Sequence, residues 1–132
     1  MGMSDVEHEI HDRLVNLQSQ LKNMSGDVVL VGDIMLDQYI HGYANNLNSR
    51  APVPVLKETE RYEDVGAAAH VARGLENIGL DAILFGVIGN DLAGGNILEA
   101  LEEEQVDCDG IAIIEDRITT VKTRLIAGRE YL

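Results

Sequence analysis

Three short and almost uninterrupted apolar runs constrain the fold of this chain most. They lie at residues 28–31 (Val-Val-Leu-Val), 82–88 (Ala-Ile-Leu-Phe-Gly-Val-Ile) and 111–114 (Ile-Ala-Ile-Ile). A run of this length is typical of a strand buried on both faces, as in parallel sheets. Between the runs lie two helical patterns, at about 66–78 and 92–104, and Asp91 precedes the second as its N-cap. This alternation predicts an α/β fold in which a parallel sheet is connected by right-handed βαβ crossovers.

The first 25 residues predict an amphipathic helix that precedes the body of the fold at 26–132. Apolar residues recur there at spacings of three and four, at Val6, Ile10, Leu14, Leu17 and Leu21. We expect this apolar stripe to pack on the body of the chain or on a partner chain.

Residues 38–63 interrupt the alternation of strands and helices. Pro52 and Pro54 exclude a helix there and favour extended edge strands. Near the other end of the chain, residues 119–126 alternate in the manner of an exposed strand. We therefore predict a small β lid, formed by the segments at about 38–63 and 119–132.

The net charge of the chain limits the kinds of partner that it is expected to bind. The chain has 23 acidic and 10 basic residues, a net charge of −13, which argues against binding nucleic acid or an anionic membrane. No apolar run is long enough to cross a bilayer and no signal-peptide pattern begins the chain, so a cytoplasmic location is predicted. A small phosphorylated ligand stays compatible, because a few cations and backbone amides bind it locally.

Candidate ligand-binding residues follow from the rule that open α/β sheets bind ligands at the carboxyl ends of their strands. Asp33 and Asp37 follow the first predicted strand; Asp33 is expected to serve a turn, and Asp37 fits a ligand or a turn equally well. Gly66 begins a helix with small side chains, which suits either ligand approach or close packing. Lys122 and Arg124 share one face of the last predicted strand, where they bind an anion or protect an exposed edge.

Other kinds of site are not indicated. The sequence contains no Gly-Lys-Ser/Thr phosphate loop and no Gly-x-Gly-x-x-Gly pattern after a strand, and its four histidines lack the spacing of a metal site.

Several motifs, taken in their order along the chain, resemble those of the ribokinase-like (PfkB) carbohydrate kinases. The resemblance is greatest to the branch that phosphorylates D-glycero-β-D-manno-heptose 7-phosphate. The resemblance runs from about residue 27 to the last residue. Its motifs are Val-Gly-Asp-Ile-Met-Leu-Asp-Gln-Tyr at 31–39, Arg-Ala-Pro-Val-Pro-Val at 50–55, Val-Gly-Ala-Ala-Ala-His-Val-Ala at 65–72, Gly-Asn-Asp-x-x-Gly at 89–94 and Thr-Thr-Val-Lys-Thr-Arg at 119–124.

The resemblance implies roles for individual residues. An aspartate at the position of Asp37 holds sugar hydroxyls, and the amides at Gly66 and Ala67 approach the sugar. Ala67 stands where the family has a second glycine, and His70 where it has an asparagine. The lid of such kinases covers the sugar and often forms a dimer interface. The predicted substrate-binding set is Asp37, Gly66, Ala67, His70, Lys122 and Arg124.

The resemblance also implies ATP-dependent phosphoryl transfer to a carbohydrate hydroxyl, with ATP and Mg²⁺ bound by the complete enzyme. In this family a Gly-Ala-Gly-Asp anion hole, whose aspartate is the catalytic base, and the nucleotide pocket lie in a second half. That motif does not occur in this sequence, so no residue is predicted to be catalytic or to bind ATP or a metal. The chain is expected to be the sugar-binding N-terminal part of a kinase, inactive alone.

One alternative function stays open, namely a non-catalytic, kinase-derived module that recognises a sugar or a protein partner.

The sequence also predicts assembly. An incomplete parallel sheet leaves unpaired edges and bare apolar surface, which predicts a homodimer through the lid or binding of a complementing C-terminal half.

Overall fold

The computed structural model describes residues 5–23, 25–128 and 130–131 of the chain. Its elements, in chain order, are α1 (Asp5–Lys22), β1 (Asp27–Val31), β2 (Ile34–Leu47), β3 (Pro54–Ala67), α2 (Ala68–Asn77), β4 (Asp81–Gly89), α3 (Leu92–Glu103), β5 (Ile111–Ile114), β6 (Thr120–Ala127) and β7 (Glu130–Tyr131).

The predicted parallel sheet forms from the three apolar runs. Its strand order is β1-β4-β5, and both pairings are parallel. Helices α2 and α3 follow β3 and β4 in the chain and pack on one face of this sheet. The buried core lies between sheet and helices, and its members include Ala82, Leu84 and Ile88 of β4, Ala69 and Ala72 of α2, and Ile97 and Leu101 of α3. The predicted α/β class is therefore confirmed.

Burial differs from the sequence prediction at the strands. The runs were expected to be buried on both faces, but Val29 and Val31 of β1 are 62% and 74% exposed, and Phe85 of β4 is 43% exposed. These side chains point away from α2 and α3, and among the described residues no helix covers that second face. Helix α2 buries only a narrow stripe, formed by the small side chains of Ala69 and Ala72, whereas Val71 is exposed.

A second sheet has the strand order β3-β2-β6-β7. Strands β2 and β3 are antiparallel, and β6 lies parallel to β2 on its other side. Strand β3 begins at Pro54 and lies at an edge, which agrees with the inference from the two prolines. We call this sheet the lid sheet. It is longer than the predicted segments, because β2 already begins at Ile34 and β3 continues to Ala67.

The residue before β6 is anchored to the turn between β4 and α3 through Asp91. This carboxylate caps α3 by accepting from the backbone N–H of Gly94 at 2.8 Å, and its other oxygen accepts from the backbone N–H of Thr119 at 2.8 Å. Thr119 is 2% exposed, and its hydroxyl oxygen accepts from the backbone N–H of Gly89 at 2.8 Å. The start of β6 is thereby tied to the turn between β4 and α3.

Helix α1 carries the predicted apolar stripe, but the stripe is not buried. Side chains from residue 6 to residue 23 are exposed, and near its end α1 lies beside the end of α2, where Leu21 and Lys22 line a shallow cavity with Ile78 and Gly79. None of the helices in the described ranges is long and apolar enough to cross a membrane.

Candidate functional site

Asp37 lies in the middle of a cluster of charged side chains on the lid sheet. It belongs to strand β2 rather than to a turn after β1, and its side chain is 14% exposed. In the parallel pairing of β2 with β6, Asp37 lies opposite Lys122 and Tyr39 lies opposite Arg124. The Nζ atom of Lys122 is 2.7 Å from Oδ1 of Asp37, and Nη1 of Arg124 is 3.4 Å from the same oxygen. The pairing of two strands therefore brings three predicted site residues together.

Two buried atoms of this cluster have unused hydrogen-bonding capacity. Asp37 Oδ1 and Arg124 Nη1 have no partner with hydrogen-bond geometry among the described residues, although they lie in charge contact. Buried polar atoms are nearly always hydrogen-bonded in folded proteins. A polar ligand that donates to the carboxylate and accepts from the guanidinium would satisfy both atoms.

Gly66 lies directly beside Asp37. It is buried on β3, opposite Met35 in the register of β2 and β3. A Cβ atom at position 66 would lie 2.9 Å from Cγ of Met35, 3.0 Å from Cγ of Asp37 and 3.1 Å from Oδ1 of Asp37. The site therefore requires glycine here for space.

Ala67 holds an unusual backbone conformation at the start of α2. Its φ is 53° and its ψ is −126°. Ala67 is the N-cap residue of α2, and its side chain makes no hydrogen bond to the helix. Positive φ at a non-glycine residue costs free energy, because Cβ clashes with the backbone. The next amide, the N–H of Ala68, donates to the carbonyl oxygen of Asp33 at 2.9 Å. Asp33 thus supports the helix start through its backbone, while its side chain is exposed.

His70 lies in the first turn of α2 and is exposed. Its Nδ1 atom is 3.0 Å from Nη2 of Arg73, and that guanidinium forms a two-contact ion pair with Asp64 of β3, in which Nη2 donates to Oδ2 at 2.9 Å. The hydrogen bond from Arg73 holds the pKa of Asp64 below its usual range and raises the pKa of Arg73. Asp64 lies opposite Asp37 in the β2–β3 register, and Arg73 supplies its counter-charge.

Two aromatic residues extend the cluster, and the sequence analysis did not single them out as site residues. The rings of Tyr39 and Tyr62 stack with centroids 4.5 Å apart, and the guanidinium carbon of Arg124 lies 4.9 Å from the centroid of Tyr39. Such stacking of a cation on an aromatic face is attractive and orients the guanidinium. Period-two alternation after Asp37 is the signal that could have identified Tyr39, because both side chains project from the same face of β2.

The structure therefore joins four of the six predicted residues directly, namely Asp37, Gly66, Lys122 and Arg124. Ala67 and His70 begin the helix that leaves the lid sheet next to Gly66. Within the described ranges, no three His, Cys, Asp or Glu side chains are grouped as ligands for a metal ion, and we assign ATP and Mg²⁺ to no residue of this chain.

The fold resembles solved sugar kinases. Arabidopsis thaliana ribokinase, solved with ribose and ATP, superposes with a TM-score of 0.68 at 18% identity, over 83% of this chain and 34% of that one. The fructokinase of Halothermothrix orenii superposes with a TM-score of 0.61 at 27% identity, over 80% of this chain and 36% of the fructokinase. At 18% identity the first likeness shows the fold alone.

The curated relatives found by sequence share a higher identity with this chain than these two solved structures do. The Bifunctional protein HldE of Helicobacter pylori (strain P12) is 38% identical over 105 residues, which are 80% of this chain and 23% of the relative. The protein of the same name from Helicobacter acinonychis (strain Sheeba) is 36% identical over the same length. The chain thus spans about a quarter of the length of these curated relatives.

The family model described as "pfkB family carbohydrate kinase" matches residues 25–131, which include both sheets and every residue of the charged cluster. The predicted resemblance is confirmed, and the chain belongs to the pfkB family of carbohydrate kinases.

Proposed function

We propose that this chain binds the sugar for an ATP-dependent carbohydrate kinase, and that the sugar carries a phosphate group. The observation that carries the proposal is the cluster of Asp37, Lys122 and Arg124, whose two buried atoms lack hydrogen-bond partners. A carboxylate accepts strong hydrogen bonds from sugar hydroxyls, and a guanidinium binds phosphate oxygens with matched geometry.

The local charge supports an anionic ligand. Lys122 and Arg124 contact one carboxylate, that of Asp37, while the neighbouring Asp64 is paired with Arg73. The cluster therefore has a local excess of positive charge in a chain whose net charge is −13. A neutral sugar would not need this excess, whereas a sugar phosphate would be stabilised by it.

Among sugar phosphates, we propose D-glycero-β-D-manno-heptose 7-phosphate. The support is the resemblance of the motifs at 31–39 and 50–55 to the heptose kinase branch, together with relatives 36–38% identical that bear the name Bifunctional protein HldE. Sugar identity is read by hydroxyl positions around Asp37, so related sugars provide the comparison.

We further propose that phosphoryl transfer needs residues that this chain does not supply. Transfer requires a base for the attacking hydroxyl, donors that stabilise the transferred group, and a pocket that aligns ATP. ATP and Mg²⁺ would be bound by the rest of a complete kinase, since the family's Gly-Ala-Gly-Asp motif does not occur here.

The alternative is a non-catalytic module that binds a sugar or a protein without transferring phosphate. Ala67 favours this alternative, because its methyl group replaces a hydrogen at a strained position beside the site.

Assembly through the lid is also a proposal: Val121 and Leu125 are exposed on β6, and a second copy would cover them. The predicted cytoplasmic location and the exclusion of nucleic-acid and membrane partners stay predictions.

Calorimetric titration with heptose 7-phosphate, fructose 6-phosphate and ribose tests the site. We expect Asp37→Asn to weaken all sugar binding by at least about tenfold, because a charged hydrogen bond is lost. Lys122→Gln should weaken the two phosphorylated sugars more than ribose. The matched control is Lys57→Gln, at an exposed lysine of β3. It should leave the affinity for the phosphorylated sugars and for ribose unchanged. Unchanged affinity in Asp37→Asn would reject the assignment.

A further inference from the structure

Three side chains beside the candidate site form a chain of hydrogen bonds that the proposed function does not use. They are Asp64 near the end of β3 and His70 and Arg73 of α2. We propose that Arg73, anchored by Asp64, is a positioning residue that holds the His70 ring so that its Nε2–H group donates to an oxygen atom of the sugar phosphate. The inference rests on the proposed function, because it assigns a further ligand contact to the same site.

Asp64 places this chain of hydrogen bonds on the face of the lid sheet that carries Asp37. The two aspartates lie directly opposite each other in the antiparallel register of β2 and β3. Side chains of opposite residues project from the same face, with Cβ atoms about 4.5–5.5 Å apart. Helix α2 starts immediately after Gly66 and its N-cap, and a Cβ atom at Gly66 would lie 3.0 Å from Cγ of Asp37. The first helical turn, which carries His70, therefore begins at the site.

The carboxylate of Asp64 holds the guanidinium of Arg73 in place. Its Oδ2 accepts from Nη2 of Arg73 at 2.9 Å, and its Oδ1 accepts from Nη1 of Arg73 and from the backbone N–H of Val65. A planar guanidinium bound through two contacts is fixed in orientation, which a single ammonium contact would not achieve. The Arg73 side chain is only 21% exposed, so the position of Nη2 is well defined.

The position of Nη2 determines which nitrogen of the His70 ring carries a proton. Nη2 has two hydrogens: one is donated to Oδ2 of Asp64, and the other is available for Nδ1 of His70, 3.0 Å away. A guanidinium has no acceptor atom, so Nδ1 must accept this hydrogen bond. The proton of a neutral imidazole then lies on Nε2, which becomes a donor. Since His70 is exposed, this donor is open to a ligand at the site.

A donor on α2 complements the donors already found on β6. In the sheet order β3-β2-β6, strand β6 with Lys122 and Arg124 lies on one side of β2, and β3, which leads into α2, lies on the other. Asp37 on β2 accepts hydrogen bonds from sugar hydroxyls, whereas Nε2–H of His70 requires an oxygen that accepts. Phosphate oxygens and sugar oxygens both meet this requirement. The ligand would thus be held by donors on both sides of Asp37.

A double-mutant cycle tests whether Arg73 acts through His70. Calorimetric titration with heptose 7-phosphate and with ribose would compare the parent chain, Arg73→Met, His70→Ala and the double variant. We expect His70→Ala to weaken heptose 7-phosphate binding by about fivefold, the effect of losing one hydrogen bond, and Arg73→Met by about threefold. The double variant should bind no more weakly than His70→Ala. A larger loss for heptose 7-phosphate than for ribose would assign the contact to the phosphate, and equal losses would assign it to a sugar oxygen.

The matched control is Arg61→Met, which breaks the exposed two-contact pair of Arg61 with Glu58 on β3 and should leave both affinities unchanged. Circular dichroism would check the fold of every variant. If Arg73→Met does not fold, Asp64→Asn takes its place in the cycle, because it weakens the anchor of the guanidinium. An effect of Arg73 that persists in full in the His70→Ala background would reveal a general effect of its charge and overturn the proposal.

Nuclear magnetic resonance of the imidazole nitrogens provides a readout that needs no sugar. At about pH 8.5, where an ordinary imidazole is neutral, the His70 signals should show Nε2 protonated and Nδ1 unprotonated. His70→Ala identifies these signals, and Arg73→Met should raise the fraction of rings protonated at Nδ1. A mixture of both forms in the parent chain, or no change in Arg73→Met, would overturn the proposal.

The outcomes separate this inference from the proposed function. If Asp37→Asn weakens sugar binding and His70→Ala does not, only the role of Arg73 and His70 fails. If the parent chain binds no sugar at all, the proposed function fails together with the ligand contact, whatever the nitrogen signals show.

Discussion

Gly66 lies so close to Asp37 that a Cβ atom at position 66 would stand 3.0 Å from the Cγ atom of that carboxylate. The two residues lie on neighbouring strands, and the glycine leaves the space in which the Asp37 side chain is held against Lys122 and Arg124.

Gly66→Ala is therefore expected to displace the carboxylate and weaken sugar binding by about tenfold or more, the effect of losing one charged hydrogen bond. Calorimetric titration with heptose 7-phosphate measures the change. Gly74→Ala is the control, because a Cβ atom there meets nothing within 4 Å and lies in helix α2. The control should keep full affinity and gain roughly 0.5–1 kcal/mol of stability. Equal affinity in Gly66→Ala would show that Asp37 does not need this space.

Ala67→Gly should stabilise the chain. Glycine adopts the observed φ of 53° without a Cβ clash, and relief of that strain outweighs its greater flexibility when unfolded. We expect the free energy of unfolding to rise by about 1 kcal/mol in a urea titration. Ala100→Gly, in the interior of α3, is the opposite control and should lose a similar amount. A loss of stability in Ala67→Gly would contradict the assigned conformation.

Asp91→Asn should destabilise the chain at neutral pH but much less in acid. Hydrogen bonds from the backbone N–H groups of Thr119 and Gly94 hold the pKa of Asp91 below its usual value. A lowered folded-state pKa contributes stability above the unfolded pKa of about 3.9, and this contribution is lost as pH falls through the folded value.

The measurement is thermal unfolding of parent and variant from pH 7 to pH 3, in which the difference between the two should shrink as pH falls. Asp116→Asn, at an exposed carboxylate in the turn before β6, is the control and should show little difference at any pH. A gap for Asp91→Asn that stays constant with pH would contradict the role of its charge.

The chain alone should not turn over. If the base and the anion-binding loop are supplied by another part of the kinase, as proposed above, phosphoryl transfer by this chain is expected to be slower by several orders of magnitude. A coupled assay of ADP release with heptose 7-phosphate, fructose 6-phosphate and ribose should stay at background. Phosphorylation that Asp37→Asn abolishes would show that residues of this chain perform the chemistry.

Local patterns in the sequence were sufficient to predict the strands of the three-stranded sheet, helix α3 and the edge position of β3. The apolar runs became β1, β4 and β5, the helix pattern after Asp91 became α3 with Asp91 as its cap, and Pro54 began an edge strand. Each of these predictions depends on interactions between residues close in the chain, which composition and spacing encode directly.

Local sequence patterns predicted only part of the candidate site. Asp37, Lys122 and Arg124 were candidates from the sequence, but an ion pair between β2 and β6 depends on a parallel register that no local pattern fixes. The stacking of Tyr39 on Tyr62 depends on the β2–β3 register in the same manner.

The α/β class, the order of the strands and helices of the three-stranded sheet and the family's motifs could be predicted from local patterns, because periodicity and turn chemistry act over a few residues. Which face of the sheet is covered, the strained conformation of Ala67 and the charges that meet at Asp37 became evident only in the folded chain. Those features arise from contacts between distant segments, and their geometry is fixed only when the whole chain packs.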